Sequence, residues 1–293
     1  MRYSVRSLAR PLLENADKKL IKSKGEVNRL KILVCVKQVP DTTEIKIDPV
    51  TNTLIRNGVP SIVNPFDKNA LEAALQLKDK YGAEVTVLSM GPGQAAEALR
   101  ECYAMGADNM VLVSDRAFGG ADTLATSYTL SAAIRALGEF DLILCGKQAI
   151  DGDTAQVGPE MAEHLGIPQI TGALSLSYED GKFVVVRENE NYQLTLACAA
   201  PLLVTVTKSE KEPRFASIKG KMKARKAQIP TLTVADLDID PATVGLKGSP
   251  TKVKKAFTPT PPEINGEIIT EADADAAVDM LFEKLVKAEV ITR

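Results

Sequence analysis

The sequence predicts an α/β fold built on a doubly wound, mainly parallel sheet, with an antiparallel extension and a C-terminal arm ending in a helix. Three observations predict it. Apolar runs without polar alternation recur at KILVCV (31–36), EVTVLSM (84–90), NMVLVS (109–114) and DLILCG (141–146). Strands covered on both faces read this way, whereas half-solvated strands alternate. Helical patterns lie between the runs, so strand and helix alternate four times, the order of a parallel sheet with helices on each side.

The elements follow in order. KILVCV is the first buried strand, and EIKIDPVTNTLIR (44–56) alternates around Pro49 to Asn52 as a surface hairpin. NPFDKNALEAALQLKDKYG (64–82) is a helix: Asn64 is placed to cap it, with Pro65 at N1 and Asp67 at N3, where a capping box usually has Glu. Leu71, Ala74, Leu75 and Lys78 follow at helical spacing, and Gly82 stops it. The second and third helices are QAAEALRECYAMG (94–106) and ADTLATSYTLSAAIRALG (121–138), the latter capped by Asp122 or Thr123. A fourth spans Pro159 to Leu165.

Beyond Pro168 the texture changes. Residues 173–206 read as three short antiparallel strands with a turn at Asp180-Gly181. EKEPRFASIKGKMKARKAQIP (210–230) is basic and poor in apolar residues. Residues 231–265 are rich in proline and read as an extended arm, and EADADAAVDMLFEKLVKAEVI (271–291) is an amphipathic terminal helix. The expected organisation is an N-terminal extension (1–30), an α/β domain (31–230), and an arm with its helix (231–293). Such an arm wraps a partner or packs on its own domain. In the extension, Arg2, Arg6 and Arg10 with Ser4 and Ser7 resemble a transit peptide weakly, but Glu14, Asp17 and Glu26 break the acid-poor pattern.

Composition excludes several functions. The chain has 36 Lys and Arg against 38 Asp and Glu, a balance with no electrostatic footprint for nucleic acid. No apolar run reaches the roughly 18 residues of a membrane span. The four cysteines, Cys35, Cys102, Cys145 and Cys198, match no metal or redox spacing, and Cys35 and Cys145, in apolar strand-like runs, read as buried thiols of a reducing compartment such as the cytoplasm. The single histidine, His164, lies on a charged-looking helix with Glu160 and Glu163 and reads as a solvated surface group. No catalytic base, nucleophile or metal set is legible, so any redox chemistry must come from a bound cofactor.

A ligand of such a sheet binds beyond the carboxyl ends of the strands, where the strand order reverses. With the runs ordered 3-2-1-4-5, that crevice lies between KQVPDT (37–42) and KQAIDGDTAQVG (147–158). Gly152, Thr154 and Gly158 permit close backbone approach, and the helix start at Gln156 to Pro159 supplies N–H groups suited to a phosphate. Asp151 and Asp153 would repel phosphate and suit ribose hydroxyls, a magnesium ion or the loop's own backbone. A structural loop held by Asx turns explains the same residues. SMGPG (89–93) and FGGADTLATS (118–127) add two more loops of small and polar residues at the same sheet end, which favours a ligand.

The blocks LVCVKQVPDT, NPFDKNALEAAL, LSMGP, AMGAD, DLILCGKQAIDGDTAQVGPEMA and EPRFASIKGKMKARK, in this order, resemble the beta (small) subunit family of electron transfer flavoproteins from Lys31 onward. The resemblance implies a Rossmann-like, adenine-nucleotide-binding domain in a heterodimer with an alpha subunit. It implies an electron carrier, redox-active only within a flavoprotein complex, that serves an acyl-CoA-type dehydrogenase. Carried onto this chain, it implies a nucleotide site of Cys35, Asn64, Pro65, Phe66, Asp67, Met90 and the loop Asp151, Gly152, Asp153, Thr154, Ala155, Gln156, Val157 and Gly158, running on to Ala162. Ile218 matches the family's docking loop.

VPDT, FGGADTLATS and GDTAQVGPE look like the electron-bifurcating branch. That branch holds FAD in the beta site, takes a hydride from NADH and sends one electron towards ferredoxin. Asp122, Thr123 and Thr126 would then lie near the isoalloxazine. The conventional branch holds AMP there as a structural ligand. The chain departs from the family's usual acidic and glycine-rich pattern at Asn191, Tyr192 and Leu194. A non-redox adenine-nucleotide-binding protein is the rival class, but KQVPDT lacks the glycine cradle of ATP-cleaving relatives of this sheet.

Overall fold

The computed structural model describes residues 29–41, 60–208, 211–254, 260, 266–270 and 273–291. The hairpin expected at 44–56 and most of the N-terminal extension lie outside them. The chain divides into two compact units, residues 1–44 with 55–254, and residues 45–54 with 255–293.

The first unit is organised by one sheet. Its strands are β1 (Lys31–Cys35), β4 (Glu84–Met90), β5 (Asn109–Val113), β6 (Leu142–Gly146), β7 (Gln169–Glu179), β8 (Lys182–Asn189), β9 (Tyr192–Ala199), β10 (Leu202–Val206) and β11 (Thr231–Leu232). Their order is β11-β5-β4-β1-β6-β10-β7-β8-β9. The expected order therefore holds through β5-β4-β1-β6, with the reversal between β1 and β6. A separate antiparallel pair joins β2 (Gln38–Pro40) to β3 (Ser61–Val63).

Two details correct the sequence reading. Residues 169–206 form four strands, not three, and the last of them, β10, inserts parallel between β6 and β7. Among the described residues of this large sheet, only β7-β8 and β8-β9 are antiparallel. All of β10 is buried, which suits an interior strand better than a hairpin edge. Residues 231–232, at the start of the expected arm, pair with β5 and close the opposite edge of the sheet.

Alternate residues of each central strand feed two cores. Ile32, Val34 and Val36 point to one face, with Val85, Val87, Leu142 and Leu144. There they meet Leu71 and Leu75 of α1 (Pro65–Tyr81) and Leu99 and Cys102 of α2 (Ala96–Met105). Leu33 and Cys35 point to the other face, against Leu130 and Ile134 of α3 (Thr123–Leu137) and Met161 of α4 (Val157–Leu165). Burying a side chain such as Leu33 completely contributes roughly 1.5–3 kcal/mol. The two-sided burial is why these strands read as unbroken apolar runs.

The basic segment contains α5 (Ile218–Lys226), and a short α6 (Gly245–Gly248) follows. The second unit holds α7 (Ala274–Lys287), capped by Asp273, whose carboxylate accepts from the Asp275 N–H. Lys284 pairs with Glu267 at 2.9 Å within the same unit. Among the described residues, no helix is long and apolar enough to cross a membrane.

Candidate nucleotide site

The start of α1 is wedged between the loops that follow β1 and β6. Asn64 is wholly buried. Contrary to the expected cap, its side chain makes no capping hydrogen bond to a backbone N–H of the helix. It donates instead to the Gln148 carbonyl at 2.8 Å and accepts from the Ile150 N–H at 3.2 Å. Its own N–H donates to the Lys37 carbonyl at 2.9 Å. Asp67 does not complete a capping box either: its carboxylate accepts from the Lys37 N–H at 2.7 Å and the Gly146 N–H at 3.0 Å. Long-range backbone partners thus outcompete the local helix start. Together Asn64 and Asp67 fix the separation of the two loops at the sheet reversal.

This arrangement perturbs the buried groups. Burial pushes the Asp67 carboxyl up to about 7, although the Lys37 and Gly146 N–H groups and Asn64 favour its ionised form. Burial, with the Asp67 charge adding to it, pushes the Cys35 thiol up to about 12. Cys35 and Cys145 are register partners on β1 and β6. Cys145 is also raised, by burial first and then by Cys35 and Asp67. Neither thiol is a nucleophile at neutral pH, so Cys35 offers a ligand mainly its backbone.

The loop from Asp151 to Gly158 lies across the crevice. Lys37 Nζ pairs with Asp151 Oδ1 at 2.7 Å, joining the two loops at their outer side. The Gln148 amide donates to Asp153. Asp153 and Ala155 have φ of 54° and 55°, a left-handed backbone that costs a non-glycine residue roughly 1–2 kcal/mol. Such strain gathers at ligand-binding loops. Thr154 and Gln156 are exposed and Val157 is half-buried. A side chain built at Gly152 meets nothing within 4 Å. Gly158 has a different role: an added Cβ would stand 2.8 Å from both Cys145 Sγ and Thr205 Cγ2. Its missing side chain lets α4 press against the sheet rather than against a ligand.

Two features fit a nucleotide. The first turn of α4 has no side-chain cap at Gln156, so its N–H groups are free to take phosphate oxygens. The Ser89 hydroxyl, at the carboxyl end of β4, is buried without a hydrogen-bond partner. Neighbouring Met90 is half-buried, as is Phe66, while Pro65 is exposed.

Thr123 reaches the same loop from α3. Its hydroxyl lies 3.0 Å from Gln156 Oε1 and 3.1 Å from Glu160 Oε1. Asp122 caps α3 through the Ala125 N–H at 3.1 Å. Its second oxygen accepts from the Thr251 N–H at 3.0 Å and hydroxyl at 2.8 Å. Burial alone would raise the Asp122 carboxyl, but these donors hold it below its ordinary value. Thr126 is half-buried one turn further on.

The Lys37–Asp151 pair and the Thr123–Gln156 contact carried no local sequence signal. Their partners lie 114 and 33 residues apart. His164 corrects another expectation. It is not a free surface group but packs edge-on against Tyr128 at 5.6 Å, with its Nε2 buried and without a partner.

Ile218 lies outside this crevice. It opens α5 and is 81% exposed, beside Phe215 at 97% and Met222 at 59%.

Comparison with known proteins identifies the family of the chain that carries this crevice. Residues 51–237 match the electron transfer flavoprotein domain. The chain is 54% identical over 272 residues to the electron transfer flavoprotein subunit beta of Megasphaera elsdenii, covering 89% of this chain and all of that protein. The chain belongs to the electron transfer flavoprotein beta subunit family. It is also similar to the Caffeyl-CoA reductase-Etf complex subunit CarD of Acetobacterium woodii, at 49% identity over 89% of this chain and all of that one. To the protein FixA of Azotobacter vinelandii it is 45% identical, over 83% of this chain and 89% of the relative. The resemblance to this beta subunit family, carried by separated motifs, is therefore borne out.

Proposed function

We propose that this chain is the beta subunit of a cytoplasmic, heterodimeric electron transfer flavoprotein and binds FAD in the crevice between the loops after β1 and β6. The observation that carries the reading is the uncapped first turn of α4, facing a loop whose Gly152 is open to solvent and whose neighbours are pinned by Asn64 and Asp67. Backbone N–H groups there hold the phosphates, and the Asp151–Gly158 loop with the end of β1 flanks the ribose and adenine. Thr123 and Thr126, at the start of α3, border the redox-active end. No protein side chain supplies redox chemistry; the flavin, when bound, supplies hydride and single-electron transfer.

The alpha subunit holds a second FAD, and the terminal arm and α7 contact that subunit. Electrons pass between NADH, the alpha-subunit FAD and an acyl-CoA-type dehydrogenase, with one branch running to ferredoxin. Similarity to a subunit named for a caffeyl-CoA reductase complex supports this direction. The test is to supply NADH, ferredoxin and the dehydrogenase with an enoyl-CoA to the co-expressed complex. Ferredoxin reduction that requires the enoyl-CoA supports bifurcation, and its absence with normal electron delivery refutes it.

A second reading has a specific observation behind it. Both Asp122 carboxylate oxygens are engaged, by Ala125 and by Thr251. An isoalloxazine there finds no free carboxylate, and this favours AMP as a structural ligand.

A further inference from the structure

The segment that carries Ile218 is held at both ends by residues outside it. Before α5, Arg214 lies against α1. Its Nε and Nη2 donate to Glu72 Oε2 and Oε1 at 2.9 and 3.0 Å, and its backbone N–H donates to the same carboxylate at 3.1 Å. Nη2 also donates to Asp79 Oδ2 at 2.8 Å, two turns of helix further on. Gln76 donates to Glu72 Oε1 at 3.3 Å. Glu72 is only 3% exposed. Burial would raise its carboxyl, but the guanidinium outweighs this and holds it below the ordinary carboxylate range.

After the first turn of α5, the anchor is α2. Ser217 caps α5 through the Gly220 N–H at 2.9 Å. An added Cβ at Gly220 would overlap the Ala104 carbonyl of α2. Ala224 is buried, and Arg100 of α2 donates to the carbonyls of Ala224 and Ala227, which close the helix. What this leaves in solvent is unusual for a surface helix. Ile218 and Met222, one turn apart on α5, are exposed, as is Phe215 just before the helix, and Lys219, Lys221, Arg225 and Lys226 flank them.

A buried carboxylate is an expensive way to hold a loop, because removing one partner strands a charge. A bidentate guanidinium fork returns geometric definition that apolar contacts do not. We propose that Arg214 is a positioning residue for dehydrogenase docking, and that its clamp on Glu72 and Asp79 fixes the entry of α5 so that Phe215 and Ile218 stand ready for the partner. This rests on the reading of the Ile218 segment as the dehydrogenase-docking surface. The clamp lowers the ordering cost of association, so its loss falls on encounter with the partner and not on electron transfer within the bound complex.

The test uses the co-expressed heterodimer, with an acyl-CoA dehydrogenase and its acyl-CoA as electron source and a dye as terminal acceptor. In Glu72→Gln/Arg214→Met, which removes both charges together, KM for the heterodimer should rise roughly tenfold. Its kcat should stay within about twofold, and its flavin content should be unchanged. Arg214→Lys, alone, should fall between this variant and the parent, because the charge stays but the fork is lost. Asp79→Asn, at a solvent-exposed carboxylate, should raise KM by about two- to threefold, and it serves as the reading should the double variant fail to fold. Ile218→Asp is measured in parallel. An unchanged KM in the clamp variants beside a raised KM in Ile218→Asp overturns the clamp proposal alone. An unchanged KM in both overturns the docking reading and the clamp with it.

Discussion

The Asp67 carboxylate accepts a hydrogen bond from the backbone N–H of Gly146 at 3.0 Å, so the first turn of α1 holds the end of β6 from below the crevice. Gly146 is glycine because of this contact. A Cβ there would overlap both Asp67 Oδ1 and Phe66. Gly146→Ala is therefore expected to destabilise the folded chain by about 1–3 kcal/mol, through overpacking at a rigid junction. Denaturant unfolding checks this, and an unaltered midpoint contradicts it.

Asp67 also makes stability depend on pH, with a defined sign. Its carboxyl is raised from 3.8 to about 7 by burial. Between those values the folded chain binds a proton that the unfolded chain has released. The stabilisation from this group is thus complete below about pH 4, declines as pH rises, and is gone above about pH 7. Asn at this position does not titrate. The stability of the parent relative to Asp67→Asn should fall from pH 4 to 7 and then level off. A parent stability that rises with pH relative to Asp67→Asn contradicts the assignment.

Gly152 offers a cleaner probe of the crevice than Gly146 or Gly158. Its surroundings are open, and its backbone is not left-handed. Gly152→Leu should leave the stability of the nucleotide-free chain within about 0.5 kcal/mol while sharply reducing the nucleotide that copurifies with the complex. Unaltered nucleotide content would show the loop to be structural only.

Ile218 tests the other end of the function. Ile218→Ala removes apolar surface that is already in solvent, so folding and flavin content should not change. Electron delivery to the dehydrogenase should slow by roughly tenfold, as for loss of a buried interface anchor. Stopped-flow reduction of the dehydrogenase flavin measures it, and a normal rate removes the docking role.

The central strands were legible because each is buried on both faces, and Leu33 and Ile32 enter opposite cores with no polar residue between them. The insertion of β10 beside β6 was not legible. An apolar run such as LLVTV states that a strand is buried, not which strand it pairs with. Asn64 satisfied every local rule for a helix cap, yet its amide bonds to Gln148 and Ile150, 84 and 86 residues away. α5 carries no helical signal because the residues that pack it on α2 are Gly220 and Ala224, which leave no apolar period, while its large apolar residues face solvent. The crevice loops could be named from sequence because topology places them together. The pairs Lys37–Asp151 and Arg214–Glu72 could not, since nothing local distinguishes them from solvated charges.

The central claim, FAD in the crevice between β1 and β6, is tested most directly by counting nucleotides. The chain is co-expressed with its alpha subunit, the purified complex is denatured, and released FAD and AMP are quantified per heterodimer. Two FAD and no AMP is the expected result. One FAD with one AMP contradicts it, and makes the crevice a structural nucleotide site in a simple electron shuttle.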